Sequence, residues 1–198
     1  MRRLCVASVA FVVLALACSS AKPTATATSS PVVSATSTPA ATPCSVAGAS
    51  TDTATVQSSA PEAAVTDVRY SDDGCARVVF QFAGDHAPGY TIGYSQPPFS
   101  DCGSGASVAT TSWGADQYLQ IRLAPSGGVD LSKSANPTYT GPRDIAVDGK
   151  TLKHLKTTCD FEAVFTWLAG LSGKHAFKVQ SLTNPPRIVV NVSQSTSD

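Results

Sequence analysis

Six cysteines hold most of the chemistry open to this chain. Cys5 and Cys18 lie within and at the end of an N-terminal apolar run, whereas Cys44, Cys75, Cys102 and Cys159 are spread at long intervals through the rest. None of these four stand as C-x-x-C, so a zinc site is not expected. An even number of cysteines suits two disulfides in an oxidising compartment. Four cysteines allow three pairings, which the sequence does not separate. The preferred pairing is Cys102–Cys159 with Cys44–Cys75, the second fastening the N-terminal segment to a folded domain. Of the three histidines, His86 sits in a Gly/Pro-rich turn and His154 and His175 stand beside lysines. None has a Glu partner at helical i, i+4 spacing, and all three read as exposed. Asp160 and Glu162 would share one face of a strand, and read as a strand start beside basic neighbours rather than an acid–base pair. No G-x-S-x-G elbow occurs. The expectation is a non-catalytic protein with no cofactor and no metal.

Cys18 is a different case. Arg2 and Arg3 precede an apolar stretch that ends Val12-Val13-Leu14-Ala15-Leu16-Ala17-Cys18. Basic n-region, apolar h-region and small residue before the cut are the parts of a secretory signal. The cysteine directly after Ala17 makes the segment resemble a bacterial lipoprotein precursor, which implies cleavage after residue 17 and lipidation of Cys18. Ala15 stands where such signals usually carry Leu, and Leu16 falls one position late. The alternative is an ordinary cleaved signal with a chance cysteine. Residues 4–17 are too few for a transmembrane helix, which needs about 20. The protein is therefore expected outside the cytoplasm, anchored by lipid to the outer face of the cell membrane.

Loss of Arg2 and Arg3 changes 14 basic and 14 acidic residues to 12 and 14, a net charge of −2. That gives no electrostatic footprint for nucleic acid. Residues 18–62 are almost entirely Ser, Thr, Ala, Pro and Val. Such a segment buries too little apolar surface to offset its ordering entropy, and reads as a disordered tether.

Residues 63–195 read as one domain, and period-two alternation dominates them. Val78, Phe80 and Phe82 alternate with Arg77, Val79 and Gln81; Leu119, Ile121 and Leu123 with Tyr118, Gln120 and Arg122; Ile188, Val190 and Val192 with Arg187, Val189 and Asn191. Further strands are predicted over residues 65–70, 90–95, 152–157, 161–168 and 176–182, with Gly and Pro clusters between them. A short helical turn is placed near residues 130–135. The pattern predicts an all-β fold, an antiparallel β-sandwich. Trp167 alternates with Phe165 and Ala163 and is assigned to the core.

Three blocks resemble the AMIN-like domain found in secreted proteins and lipoproteins of actinobacterial type. They are Gly74-Cys75-Ala76-Arg77-Val78-Val79-Phe80-Gln81-Phe82, then Tyr118-Leu119-Gln120-Ile121-Arg122-Leu123, then Asp160-Phe161-Glu162-Ala163 through Trp167-Leu168-Ala169-Gly170-Leu171 to Pro186-Arg187-Ile188-Val189-Val190-Asn191-Val192. Ala76 and Asn191 stand where that family commonly carries acids. The resemblance implies a β-sandwich that serves as a binding module in the cell envelope, with peptidoglycan or another wall polymer as its partner. Glycans are gripped by aromatic faces and hydrogen-bond donors. The candidates are Trp113, in the loop-like Ser112-Trp113-Gly114, with Tyr90, Tyr94, Phe99 and Tyr118; the alternative for Trp113 is a lid that covers one end of the sandwich. Arg77 and Arg122, with Arg69 and Arg187, fall opposite the apolar positions and suggest a basic row for wall carboxylates or phosphates. The alternatives are a module that docks an envelope protein, such as a wall enzyme or transporter, and a binder of small solutes.

Overall fold

The structure, a computed structural model, describes residues 44–130 and 136–196. Its strands, in chain order, are β1 (Ala54–Val56), β2 (Ala63–Ser71), β3 (Ala76–Phe82), β4 (Gly89–Ser95), β5 (Phe99–Ser100), β6 (Ser107–Val108), β7 (Gln117–Ala124), β8 (Ser126–Gly127), β9 (Val129–Asp130), β10 (Asn136–Pro137), β11 (Asp144–Ala146), β12 (Leu152–Phe161), β13 (Val164–Leu171), β14 (His175–Leu182) and β15 (Arg187–Thr196). No helix forms among the described residues. The expected helical turn falls largely on residues 131–135, outside that set, and Asp130 itself belongs to β9.

Two sheets face one another. A six-stranded sheet runs β1-β4-β7-β13-β12-β11 and a five-stranded sheet runs β14-β15-β3-β2-β8. All pairings are antiparallel except the short parallel contact of β2 with β8. The alternating residues turn inward as the period-two pattern requires. Val78, Phe80, Phe82, Ile188 and Val190 from one sheet meet Ile92, Leu119, Ile121, Leu123, Phe165 and Trp167 from the other in one buried cluster. Trp167 is fully buried, edge-on to Phe80, Phe165 and Tyr139. The all-β sandwich is therefore as the sequence implies.

β13 departs from alternation, since every residue from Phe165 to Leu171 is buried. Its second face is covered by the segment between β4 and β7. Phe99, Val108 and Trp113 of that segment pack with Tyr118 and Leu168 into a second cluster outside the six-stranded sheet. Gly170 makes room for it, because a Cβ there would lie 2.9 Å from the Trp113 ring and 2.9 Å from Ala115. The Cys102–Cys159 disulfide staples this cover to β12, and the Cys102 amide donates to the Thr158 carbonyl at 2.9 Å.

Two boundaries differ from expectation. The run 161–168 is not one strand, because Glu162 and Ala163 turn the chain with φ of 49° and 56°. These positive angles at both central residues are those of a two-residue hairpin turn, and the turn joins β12 to β13. The ordered chain also starts before residue 63. β1 pairs with β4, Ser50 and Phe177 exchange main-chain hydrogen bonds, and the Gln194 amide donates to the Cys44 carbonyl. Residues 44–62, assigned to the tether, thus belong to the folded unit; residues 1–43 lie outside the described residues. Main-chain bonding and the Cys44–Cys75 disulfide hold this segment, so its poverty in apolar side chains does not prevent ordering.

Both disulfides follow the preferred pairing. Replacing Cys44 and Cys75 together by Ser is expected to destabilise the protein by about 2–4 kcal/mol, measured by urea unfolding. An unchanged midpoint would contradict the docking of residues 44–62.

Candidate functional site

The two sheets differ in what covers their outer faces, and this sorts the candidate residues. On the six-stranded sheet the aromatic candidates are consumed by the cover. Trp113 is only 8% exposed. Its indole stacks on the His154 ring at 4.1 Å with 7° between the planes, and meets Tyr118 edge-on. Trp113 is therefore part of a packed lid and offers no free face to a ligand, contrary to the loop-like reading of Ser112-Trp113-Gly114. Phe99 and Tyr118 are buried beside it. Tyr94 is occupied differently: its hydroxyl donates to the His175 carbonyl at 2.6 Å and accepts from the His175 amide at 2.9 Å. Tyr90 and Arg122 both line a cavity of only about 30 Å³, too small for a sugar ring.

The expected arginine row is split. Arg122 lies on β7, whereas Arg69, Arg77 and Arg187 share the five-stranded sheet. There the register builds three cross-strand rows. Lys178, Asn191, Arg77 and Ser71 form the first; Gln180, Val189, Val79 and Arg69 the second; Leu182, Arg187, Gln81 and Asp67 the third. All are the alternates of core residues and so point outward.

Side-chain hydrogen bonds fix this surface. Arg77 Nε donates to Asn191 Oδ1 at 2.8 Å, and Asn191 Nδ2 donates to Gln180 Oε1 at 3.1 Å. Arg69 donates to Gln81 Oε1 at 3.0 Å and pairs with Asp67 at 3.2 Å. Among the described residues no carboxylate forms an ion pair with Arg77, Arg187 or Lys178. Asn191 explains this for Arg77, because the amide takes the place of an acid in register opposite the guanidinium. Val189 is only 6% exposed although it points outward. Arg77 and Arg187 line the same concavity as Val189.

The outcome is a trough of two concavities that share Arg77 and Gln180. One, of about 590 Å³, runs past the Cys44–Cys75 disulfide and is lined by Asp73, Lys178 and Asn191. The other, of about 270 Å³, has Val79 and Val189 between Arg69 and Arg187. Of the residues proposed from sequence for a ligand, Arg69, Arg77 and Arg187 lie here, and Arg122 and the aromatic candidates do not. Lys178, Gln180 and Val189 were not singled out. Their signal was present in the register of the last two strands, since polar outward positions on β14 must fall beside Arg77 once β15 is central.

The titratable residues are otherwise engaged. His86 is bonded to Asp85 at 2.9 Å and to the Pro61 carbonyl, which raises its pKa. His154 is stacked and bonded to Asp144 at 2.6 Å. His175, read as exposed, is the exception: it is 3% exposed at the start of the edge strand β14, and neither ring nitrogen has a hydrogen-bond partner. Asp160 and Glu162 do not form a pair, because Glu162 is in the turn and Asp160 binds Arg143 at 2.7 Å and the Gly128 amide at 2.9 Å. Among the described residues no three His, Cys, Asp or Glu side chains are grouped to hold a metal ion.

The family model for the AMIN-like domain matches residues 63–194, and the chain belongs to that family. No curated protein and no solved structure matches the chain.

One carboxylate is held at a cost. Burial, then Asp160 and Asp130, raise the Glu62 pKa. A carboxyl whose pKa is higher in the folded state loses stability as pH rises from its unfolded value through its folded one. Glu62→Gln is therefore expected to raise the thermal midpoint at pH 7 and to leave it unchanged below the ordinary carboxyl range. A lower midpoint at pH 7 would contradict this.

Proposed function

We propose that this AMIN-like chain is a non-catalytic binding module of the cell envelope that holds peptidoglycan or another anionic wall polymer in the trough of its five-stranded sheet. The observation that carries the reading is the set of outward cations without acid partners along a concave surface: Arg77, fixed by the Asn191 amide, and Arg187 and Lys178, which donate to the Pro185 and Ala47 carbonyls. Guanidinium groups match carboxylates and phosphates with paired donors. Peptide-stem carboxylates and the phosphates of wall polymers are ligands of this kind. The amides of Gln180 and Asn191 suit the neutral amides between them. The partly exposed Val79 suits an aliphatic part of the same ligand.

The same proposal places the module on the outer face of the membrane. The N-terminal signal, with Cys18 as its lipidated residue, is what supports this, and several acyl chains on one residue would hold firmly at roughly 0.8 kcal/mol per buried CH₂. The described chain begins at Cys44, whose neighbours Ser45 and Val46 line one end of the trough.

Purified full chain is expected to co-sediment saturably with insoluble peptidoglycan. A charge-assisted hydrogen bond contributes roughly 1.5–3 kcal/mol, so Arg77→Ala with Arg187→Ala should weaken binding by about tenfold or more. Unweakened binding by the double variant would overturn the trough as the site. Cys18→Ala is expected to release the protein from membranes into the medium, and its retention in the membrane fraction would contradict lipidation.

A further inference from the structure

A separate concavity, of about 520 Å³, opens where the cover of the six-stranded sheet meets β12. We propose that this groove is a saccharide site that takes a neutral, hydroxyl-rich ligand, distinct from the cationic trough.

Phe161 stands on its rim. This ring is 56% exposed, more than Val56, Tyr70 or Leu182, the other large apolar side chains left open. The hairpin turn at Glu162 and Ala163 holds it at the end of β12, paired with Val164. A flat aromatic face of this kind packs against the C–H face of a sugar ring. Val108, Ala106 and the staple at Cys102 extend the apolar wall.

The polar lining suits hydroxyls rather than ions. Arg143 is paired with Asp160 at 2.7 Å, and Lys156 with Asp144, so both cations are already compensated. Asp101 adds a third carboxylate. The Gly103 and Ser104 amides and the Ser104 hydroxyl donate to it at 3.1, 2.8 and 2.8 Å, which orients it and lowers its pKa. An anion would meet this carboxylate without a free cation. A hydroxyl both donates and accepts, and so can bond the carboxylates and the basic groups without bringing charge.

An extended peptide fits less well. The main chain that such a peptide would pair with is already engaged, since the Thr157 amide donates to the Arg143 carbonyl at 2.8 Å and the Thr158 carbonyl accepts from Cys102.

The test is calorimetric titration of the full chain with chitotetraose, maltotetraose and cellotetraose, each to about 10 mM, a range that captures weak binding. At least one is expected to bind. Phe161→Ala, a change at an exposed position, should weaken it by roughly five- to tenfold, within the usual contribution of an aromatic contact. Arg77→Ala with Arg187→Ala should leave it unchanged. No binding by any of the three, or binding that Phe161→Ala leaves intact, would overturn the proposal. The source of the sugar is read separately. If Phe161→Ala also reduces sedimentation with peptidoglycan, the groove takes a glycan strand; if it affects only the soluble sugars, the ligand is a free saccharide. Failure of the cationic trough would show in sedimentation by the arginine variants and would leave this result untouched.

Discussion

The burial of β13 on both faces is the constraint on which the rest of the structure depends. Trp167 completes the core between the sheets, while Leu168, the next residue, points the other way and is equally buried. An ordinary two-sheet sandwich buries one face of each sheet and leaves the other wet. This one must supply a second apolar layer outside its six-stranded sheet. The segment from β4 to β7 does so, and Gly170 lets the Trp113 ring approach the strand closely. The cover is short and loop-rich, which gives the Cys102–Cys159 staple its place.

From this asymmetry follows the division of labour between the faces. Aromatic side chains that resemble ligand contacts, Trp113, Phe99 and Tyr118, are spent on covering β13. The five-stranded sheet carries no such cover. Its outer rows hold Arg69, Arg77, Arg187 and Lys178, with amides between them. The surface with unspent donors is thus the one that the packing leaves open. The groove with Phe161 arises at the margin of the cover, where the outer layer ends and an aromatic ring is left without a neighbour layer.

What could be read from the sequence divides along physical lines. β3, β7 and β15 were legible because alternation records burial of one face directly, and Trp167 followed from its alternation with Phe165. The disulfides were legible as a preference among three pairings. β1 was not, because its hold on β4 is main-chain pairing by residues of tether-like composition. The turn at Glu162 and Ala163 was hidden for a related reason: two-residue hairpin turns usually declare themselves by Gly or Asn, and here neither is present. The sequence left Trp113 between an exposed ring and a lid, because its partners, His154 and Gly170, are remote in sequence and close only in the fold. The arginine row was half legible. Alternation pointed every arginine outward, but assigning them to one sheet or the other required the strand order.

The central claim is that an anionic wall polymer lies in the trough over Val79 and Val189. The most direct measurement is methyl NMR of the full chain, with labelled valine, titrated with solubilised peptidoglycan. The account predicts that the Val79 and Val189 methyl signals shift saturably, while those of core residues such as Val78 and Val190 stay in place. Binding with the Val79 and Val189 signals unmoved would contradict it.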